Sequence, residues 1–432
     1  IVVLFLNGGV DSFNMLVPHS QCAVNGVTKD IYAEYQAVRT SAALAKTDLL
    51  PLDADASKQP CAKFGMHPRM GAFRDMYAAG ELAALANVGA MVEPVTKEEF
   101  AKKSKRLPPS LFAHNVQQRV AANVHAQDKN AKGVLGRTMA ALSSARPDSG
   151  GPYAARLFSL SGNAKILEGS LREPAVVHPS KGIERFLRLQ DVKDEMHNLT
   201  APVSQSIFAE TYAASMSSAL HSTEELGEKL SNTTLDTWVE PASTDPKIEK
   251  QLYQTAKILK LRAQLGMERA GFFTQEAGFD THTNVADVLD EKLQNIDATI
   301  AKFKTELKSQ GLWDNVTVVT LSDFGRTLTS NGLGTDHGWG GNMFVFGGSV
   351  RGGQILGTYP SELGDNSPVN LGRGRVLPTS SWEAVWSGLL EWMGIDKNER
   401  AIPGSSEMNT VLPNRANFAA SQLFSKDQMF KK

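Results

Sequence analysis

Four short, polar, glycine-rich stretches carry most of the side chains that could do chemistry. The first is Asn7-Gly8-Gly9-Val10-Asp11-Ser12. Glycines let the backbone approach a ligand closely, so Asp11 can face a cation there; it can equally cap the helix that follows. In the second, Asp280 and His282 stand two apart in an extended loop and share one side. A carboxylate and an imidazole are a standard pair of zinc or manganese ligands. Without a metal, Asp280 would simply orient a neutral His282. The third, Ser322-Asp323-Phe324-Gly325-Arg326, sets a cation three residues after an acid. Arg326 can grip a substrate oxyanion in bidentate fashion, or neutralise Asp323. In the fourth, Gly334 and Gly338 bracket His337, either to crowd a site or to make a tight turn. The chain has nine histidines, and two of them, His282 and His337, fall in these loops, which favours a site.

Two more histidines have suggestive neighbours. His67 precedes Pro68, where it can aim at a pocket or cap a helix. His114 sits beside Asn115, Gln117 and Gln118, a polar cluster that also fits a plain surface helix start. His19, His125, His178, His197 and His221 have no informative neighbours. The chain has no G-x-S-x-G elbow, no P-loop and no strand-linked G-x-G-x-x-G. Serine-hydrolase, NTPase and dinucleotide readings therefore lose ground.

The elements that must position these residues alternate between strands and helices. Residues 1–6 form a β-branched apolar run, the pattern of a strand buried on both faces. Residues 71–79 read as a helix stopped by Gly80, and 82–88 as another buried strand. Residues 270–274 lead into the Asp280 loop, 316–321 into the Asp323 loop, and 342–346 form a further strand. Leu289, Leu293, Ile296, Ile300, Phe303 and Leu307 step by three and four, the apolar stripe of a long helix that Gly311 would end. Residues 247–265 are helical in period. Residues 380–393 form a closing helix, with Ser380 or Ser381 as N-cap and Gly394 beyond its end. The alternation predicts an α/β domain over 1–432. Ligands of an open parallel sheet bind beyond the carboxyl ends of its strands, where these loops fall. Residues 94–246 read as a mostly helical insertion or cap, with loops at Pro108, Pro109, Pro147 and Pro152 and helices at 134–145 and 203–220.

Charge and cysteine content narrow the classes. Forty-five basic and 46 acidic residues leave a net charge of −1, so no bulk field favours nucleic acid or an anionic membrane. The basic run from Lys102 to Arg106 reads as a solvated loop or helix end. No segment reaches the ~18 apolar residues of a membrane span. Cys22 and Cys61 fit one disulfide or two free thiols, and export would favour the disulfide. Neither belongs to a C-x-x-C pair. Because the chain opens inside a strand, we expect residues upstream, such as a signal peptide.

Together the motifs LNGGVDSFNM, FGMHPRM, LFAHNVQQ, GFDTH, LSDFGRT, GTDHGWGGNMFVFGG, VRGGQILGTYP and PTSSWEAV resemble the domain-of-unknown-function family 1501. They run in order along nearly the whole chain, and the middle matches least. That family is similar to the alkaline phosphatase and sulfatase superfamily. The resemblance implies a three-layer α/β/α sandwich with a mostly parallel central sheet and a helical insertion. It also implies export, commonly by a twin-arginine signal, to the periplasm, the cell surface or the medium. Carried over by position, Asp11, Asp280, His282, Asp323 and His337 would hold a divalent metal: zinc, calcium, manganese or magnesium. Phe324 stands where the superfamily has a histidine, so a full two-zinc set is not met. FGMHPRM offers His67 where a Ser, Thr or Cys nucleophile is expected, and no C-x-P-x-R motif is present for a formylglycine. The activity implied is metal-dependent hydrolysis of phosphate or sulfate esters. Arg326 would hold the anionic group, and His67 or His114 would act as nucleophile or general acid. The implied partner is an anionic small molecule or a sulfated or phosphorylated glycan, with no nucleic acid, and a homo-oligomer is compatible. Two alternatives stand beside this activity. One is a catalytically degenerate structural or carbohydrate-binding protein on the same scaffold, with no metal; the other is a metal that is only structural.

Overall fold

The apolar runs assemble around the first strand. The computed structural model describes residues 1–54, 59–144, 153–183, 192, 194–196, 198, 205–395, 397–398 and 407–432. Along the chain the strands are β1 (Val2–Asn7), β2 (Leu16–Val24), β3 (Val27–Thr28), β4 (Leu50–Asp53), β5 (Cys61–Met66), β6 (Leu82–Gly89), β7 (Ala155–Ser159) and β8 (Ala175–Val176). They continue with β9 (Arg269–Ala277), β10 (Val318–Ser322), β11 (Arg326–Ser330), β12 (Thr335–His337), β13 (Gly341–Phe346), β14 (Gln354–Gly357) and β15 (Ser380–Ser381). The main sheet has the order β14-β6-β13-β10-β1-β9-β7-β8, with β15 also on β6. Only β13 opposes its neighbours; the other pairings are parallel. Val2 to Leu6 are buried, as a strand covered on both faces requires.

Helices cover the sheet in two groups. Gly71–Ala78, Lys247–Lys260 and Val285–Ser309 pack together, and His114–Asn123, Val134–Ser144 and Glu407–Val411 form a second set. The result is the three-layer α/β/α arrangement. All six stripe residues of Val285–Ser309 are buried, each contributing roughly 1.5–3 kcal/mol of apolar burial. Gly311, at φ +66°, lies just past this helix's end, a backbone conformation that costs glycine little. Ser381, rather than Ser380, caps Trp382–Met393 by accepting from Ala384 N at 3.1 Å.

Three sequence expectations shift. The short strand at 270–274 is the nine-residue β9, extended because β1 and β7 flank it. The helix at 247–265 closes at Lys260. The segment 94–246, read as a mostly helical insertion or cap, also contributes β7 and β8, which extend the main sheet beyond β9. Strands of five and two residues leave too little periodicity to stand out in a sequence. The helices expected at 134–145 and 203–220 are Val134–Ser144 and Ile207–Ser231; residues 145, 203 and 204, with Pro147 and Pro152, lie outside the described residues.

A smaller sheet of order β3-β2-β5-β4 flanks the domain. In it Cys22 pairs in register with Cys61, and the two form a disulfide. No helix among the described residues is long and apolar enough to cross a membrane.

Candidate metal centre

The loops after β1, β9 and β10 all leave the same edge of the sheet, and antiparallel β13 enters there. Asp280 and His282 follow β9, Asp323 follows β10, and His337 ends β12. His114 opens the helix His114–Asn123. The packing is close enough to dictate residue type. Gly8 has φ +118°, and a Cβ there would lie 2.6 Å from Asp280 N, so no larger side chain fits.

Three donor atoms, from His114, Asp280 and His337, converge, and His282 stands beside two of them. His337 Nε2 lies 3.0 Å from His114 Nε2 and 2.9 Å from His282 Nε2. Asp280 Oδ1 lies 3.2 Å from His337 Nε2, 3.1 Å from His282 Nε2 and 3.5 Å from His114 Nε2. Each ring's other nitrogen faces outward onto an acceptor. His114 Nδ1 meets Asp323 Oδ2 at 2.8 Å, His282 Nδ1 meets Asp336 Oδ1 at 3.1 Å, and His337 Nδ1 meets Phe112 O at 2.7 Å. Carboxylates and carbonyls only accept, so the three Nδ1 atoms carry the hydrogens. Three Nε2 lone pairs and a carboxylate oxygen then point inward at one another, which is repulsive without a cation. Imidazoles oriented in this way by outer acceptors are the usual pattern of metal ligands. Tetrahedral donors bound to zinc at ~2.0–2.1 Å stand roughly 3.3–3.4 Å apart, close to the separations among His114, Asp280 and His337. The donor set fits a divalent cation.

The electrostatics point the same way. Burial alone would push the Asp280 carboxyl up, but the hydrogen bond and charge of Arg326 outweigh it and hold the carboxyl below the usual range. Burial lowers the pKa of His337. Both shifts favour the protonation states that ligands need. The bond to Asp323 raises the pKa of His114 against its partial burial. The Asn331 side chain, followed by His282, holds Asp336 low.

The structure redistributes the roles of the expected residues. It brings together Asp280, His282 and His337, and adds His114 as a donor of equal standing. Asp323 stands one layer out. Its Oδ1 accepts from Gly8 N at 3.1 Å, and its Oδ2 from His114 and from Gln118 Nε2 at 2.9 Å. Asp11 is not brought to the cluster; it is fully buried against the guanidinium of Arg39. His67 is also elsewhere. It is buried 3.5 Å from Asp290, where burial lowers its pKa to about 4. Arg326 pairs with Asp280 at 2.8 Å rather than with Asp323, and also donates to Gly8 O and Thr335 O. With no exposed surface it has no face to offer a substrate.

The sequence places Gln118 in the polar cluster beside His114 and Asp336 next to His337, but nothing in it shows that Phe112, Gln118 and Asp336 support the donors. Phe112 adopts φ +73°, a left-handed conformation that is costly for an aromatic residue, and its carbonyl holds His337. Phe324 is 5% exposed, and its ring centre lies 4.8 Å from that of His114 and 4.9 Å from that of His337. The residue standing in a histidine's place thus makes an apolar wall for two of the donors.

Strand-end loops of a mostly parallel sheet, converging histidines on a carboxylate, define an α/β protein with a candidate metal centre. The model of the family "Protein of unknown function (DUF1501)" matches residues 1–377, and the chain belongs to that family. No curated protein is a significant match. Solved structures similar to the chain include the lipoteichoic acid synthase LtaP of Listeria monocytogenes, at 10% identity over 95% of this chain and 75% of that one, TM-score 0.36. The phosphonate monoester hydrolase SpPMH of Silicibacter pomeroyi is similar at 9% identity over 95% and 76%, TM-score 0.36. The PsFucS1 sulfatase of Pseudoalteromonas sp. is similar at 10% identity over 82% and 63%, TM-score 0.29. No reaction is carried over from likenesses of this size.

Proposed function

We propose that the chain is an exported, single-metal hydrolase of phosphate or sulfate esters, acting on an anionic small molecule or a phosphorylated or sulfated glycan. The observation that carries the proposal is the convergence of the Nε2 atoms of His114, His282 and His337 on Asp280 Oδ1. Three imidazoles favour zinc or another late transition metal over calcium and magnesium, which prefer oxygen. A single metal is supported by Asp11, which already has Arg39 as its cation, and by Phe324, which offers no ligand atom. The ester class rests on the motif resemblance. Export is supported by the Cys22–Cys61 disulfide, which suits an oxidising compartment.

The chain's own residues divide the work. Asp323, Asp336 and the Phe112 carbonyl fix the three ring orientations. Arg326 keeps Asp280 ionised and in place. Phe324 excludes water from one side, while half-exposed Asp280 and His282 leave the other side open. When bound, the metal supplies polarisation of an ester oxygen and a lowered pKa for an attacking water.

The test is elemental analysis of purified protein, then aryl phosphate and aryl sulfate hydrolysis with zinc or manganese added. Absence of both metal and turnover overturns the proposal. A second reading is a purely structural metal on a catalytically degenerate scaffold. It is favoured by the count of donors, because four protein ligands close a tetrahedral zinc. Chelation that lowers Tm in a chain without turnover would select it.

A further inference from the structure

We propose that Arg375 is the anion-recognition residue of this centre, its guanidinium receiving the phosphate or sulfate group of the substrate. The inference rests on the hydrolase reading and names the residue that would meet the substrate's charge.

Arg375 is tied to the residues that hold one donor histidine. Its Cζ stands 4.1 Å from the centre of the Phe112 ring, and its Nε donates to His337 O at 3.3 Å. The Phe112 carbonyl in turn accepts from His337 Nδ1 at 2.7 Å. The guanidinium is therefore stacked on one neighbour of the centre and bonded to another. Its backbone is fixed as well. Leu371 N donates to Arg375 O at 2.8 Å, closing a tight turn, and Gly374 O accepts from Leu328 N on β11 at 2.7 Å. Gly374 has φ +69°, and a Cβ there would lie 2.2 Å from Thr329 N, so this strand contact needs glycine.

What separates Arg375 from the other arginines near the centre is its lack of a counter-ion. Arg39 lies on Asp11 and Arg326 on Asp280, both without exposed surface. Arg375 is partly exposed, and among the described residues neither a carboxylate nor any acceptor engages its two Nη groups. A cation left without a partner, yet held by stacking and by Nε, presents a fixed N–H edge. That edge matches two oxygens of a tetrahedral oxyanion, and little ordering entropy remains to be lost on binding.

The charge balance requires such a group. Asp280 in the centre, with Asp323 and Asp336 behind two of its histidines, stands against the single buried guanidinium of Arg326. That surplus repels an anion. A divalent cation cancels it, and Arg375 turns the site's sign in favour of the substrate.

The experiment is calorimetric titration of inorganic phosphate and inorganic sulfate into the zinc-loaded full chain. It compares wild type, Arg375→Met, which keeps the apolar stem over Phe112, and Arg375→Lys. Zinc affinity is measured separately by competition with a chromophoric chelator. The expected result is a loss of oxyanion affinity of about tenfold or more in Arg375→Met, partial recovery in Arg375→Lys, and unchanged zinc affinity in both. The anion showing the larger loss names the ester. Unchanged oxyanion affinity in Arg375→Met overturns the assignment of Arg375. A wild type that binds zinc but neither anion overturns the ester reading with it. A wild type that binds no zinc overturns the metal centre beneath both.

Discussion

The Nε2 atoms of His282 and His337 stand 2.9 Å apart, although each ring is turned by an acceptor on its far side. Two lone pairs held this close need a positive charge between them. Because His337 Nε2 also faces His114 and Asp280, it is the hub of the donor set. We expect His337→Ala to lower zinc affinity by more than the ~10–100-fold typical for loss of an outer partner. Chelator competition measures this. The variant's Tm without metal should match wild type, whereas the rise in Tm on adding zinc should disappear.

Asp323 and Asp11 both read as metal aspartates in the sequence, but they should behave oppositely. Asp323 orients His114 from outside. Asp323→Asn should therefore cost about 10–100-fold in zinc affinity. Asp11 neutralises a guanidinium with no exposed surface. Asp11→Asn strands that charge and should destabilise the fold by roughly 3–5 kcal/mol, with zinc affinity of the folded protein unchanged. Urea titration and chelator competition on the two variants separate these effects. A large zinc effect from Asp11→Asn would place Asp11 back in the centre.

Much of this arrangement was legible in the sequence because strand ends announce themselves. Residues 1–6 are a continuous apolar run and residues 316–321 are rich in β-branched side chains, so both read as strands and the acids after them share an edge by sheet topology. Asp280 and His282 stand two apart, a spacing that is weak evidence alone and gains weight only beside the family resemblance. What could not be read was which side chains engage one another. His114 lies more than two hundred residues from His337, and its helix start looks like any surface helix. Arg326 and Arg39 are chemically alike, and only burial shows that each is held by a different aspartate. The strands β7 and β8 were hidden for a related reason. β7 pairs with β9 and β8 with β7, a property of the assembled sheet that local periodicity does not carry.

His67 gives a pH signature that is separate from the metal. Burial lowers its pKa from 6.5 to about 4 in the folded chain. Between these values the unfolded state binds the extra proton, so stability rises with pH across that window. The stabilisation is complete above pH 6.5 and is lost as pH falls toward 4. The step is on the order of 3 kcal/mol. Urea titrations from pH 4 to 7 on wild type and His67→Gln should show the difference between the two curves flattening above pH 6.5. A constant difference across the range would contradict the buried neutral imidazole.

Glu383 should behave with the opposite sign. It lies in the first turn of Trp382–Met393, 1% exposed, and its Oε1 has no partner among the described residues. Burial pushes its carboxyl up to about 8, against the smaller pull of hydrogen bonds from Asn414 and Ser381 and of the Arg137 charge. The folded state therefore holds a proton that the unfolded state releases near pH 4.5, and stability falls as pH rises from there to 8. Above 8 the carboxylate is charged in both states and the full cost is present, on the order of 5 kcal/mol. Glu383→Gln copies the protonated form without its charge. It should match wild type at pH 5 and be more stable at pH 9. Equal stability of the two at pH 9 would mean that the ionised carboxylate finds a partner or reaches water.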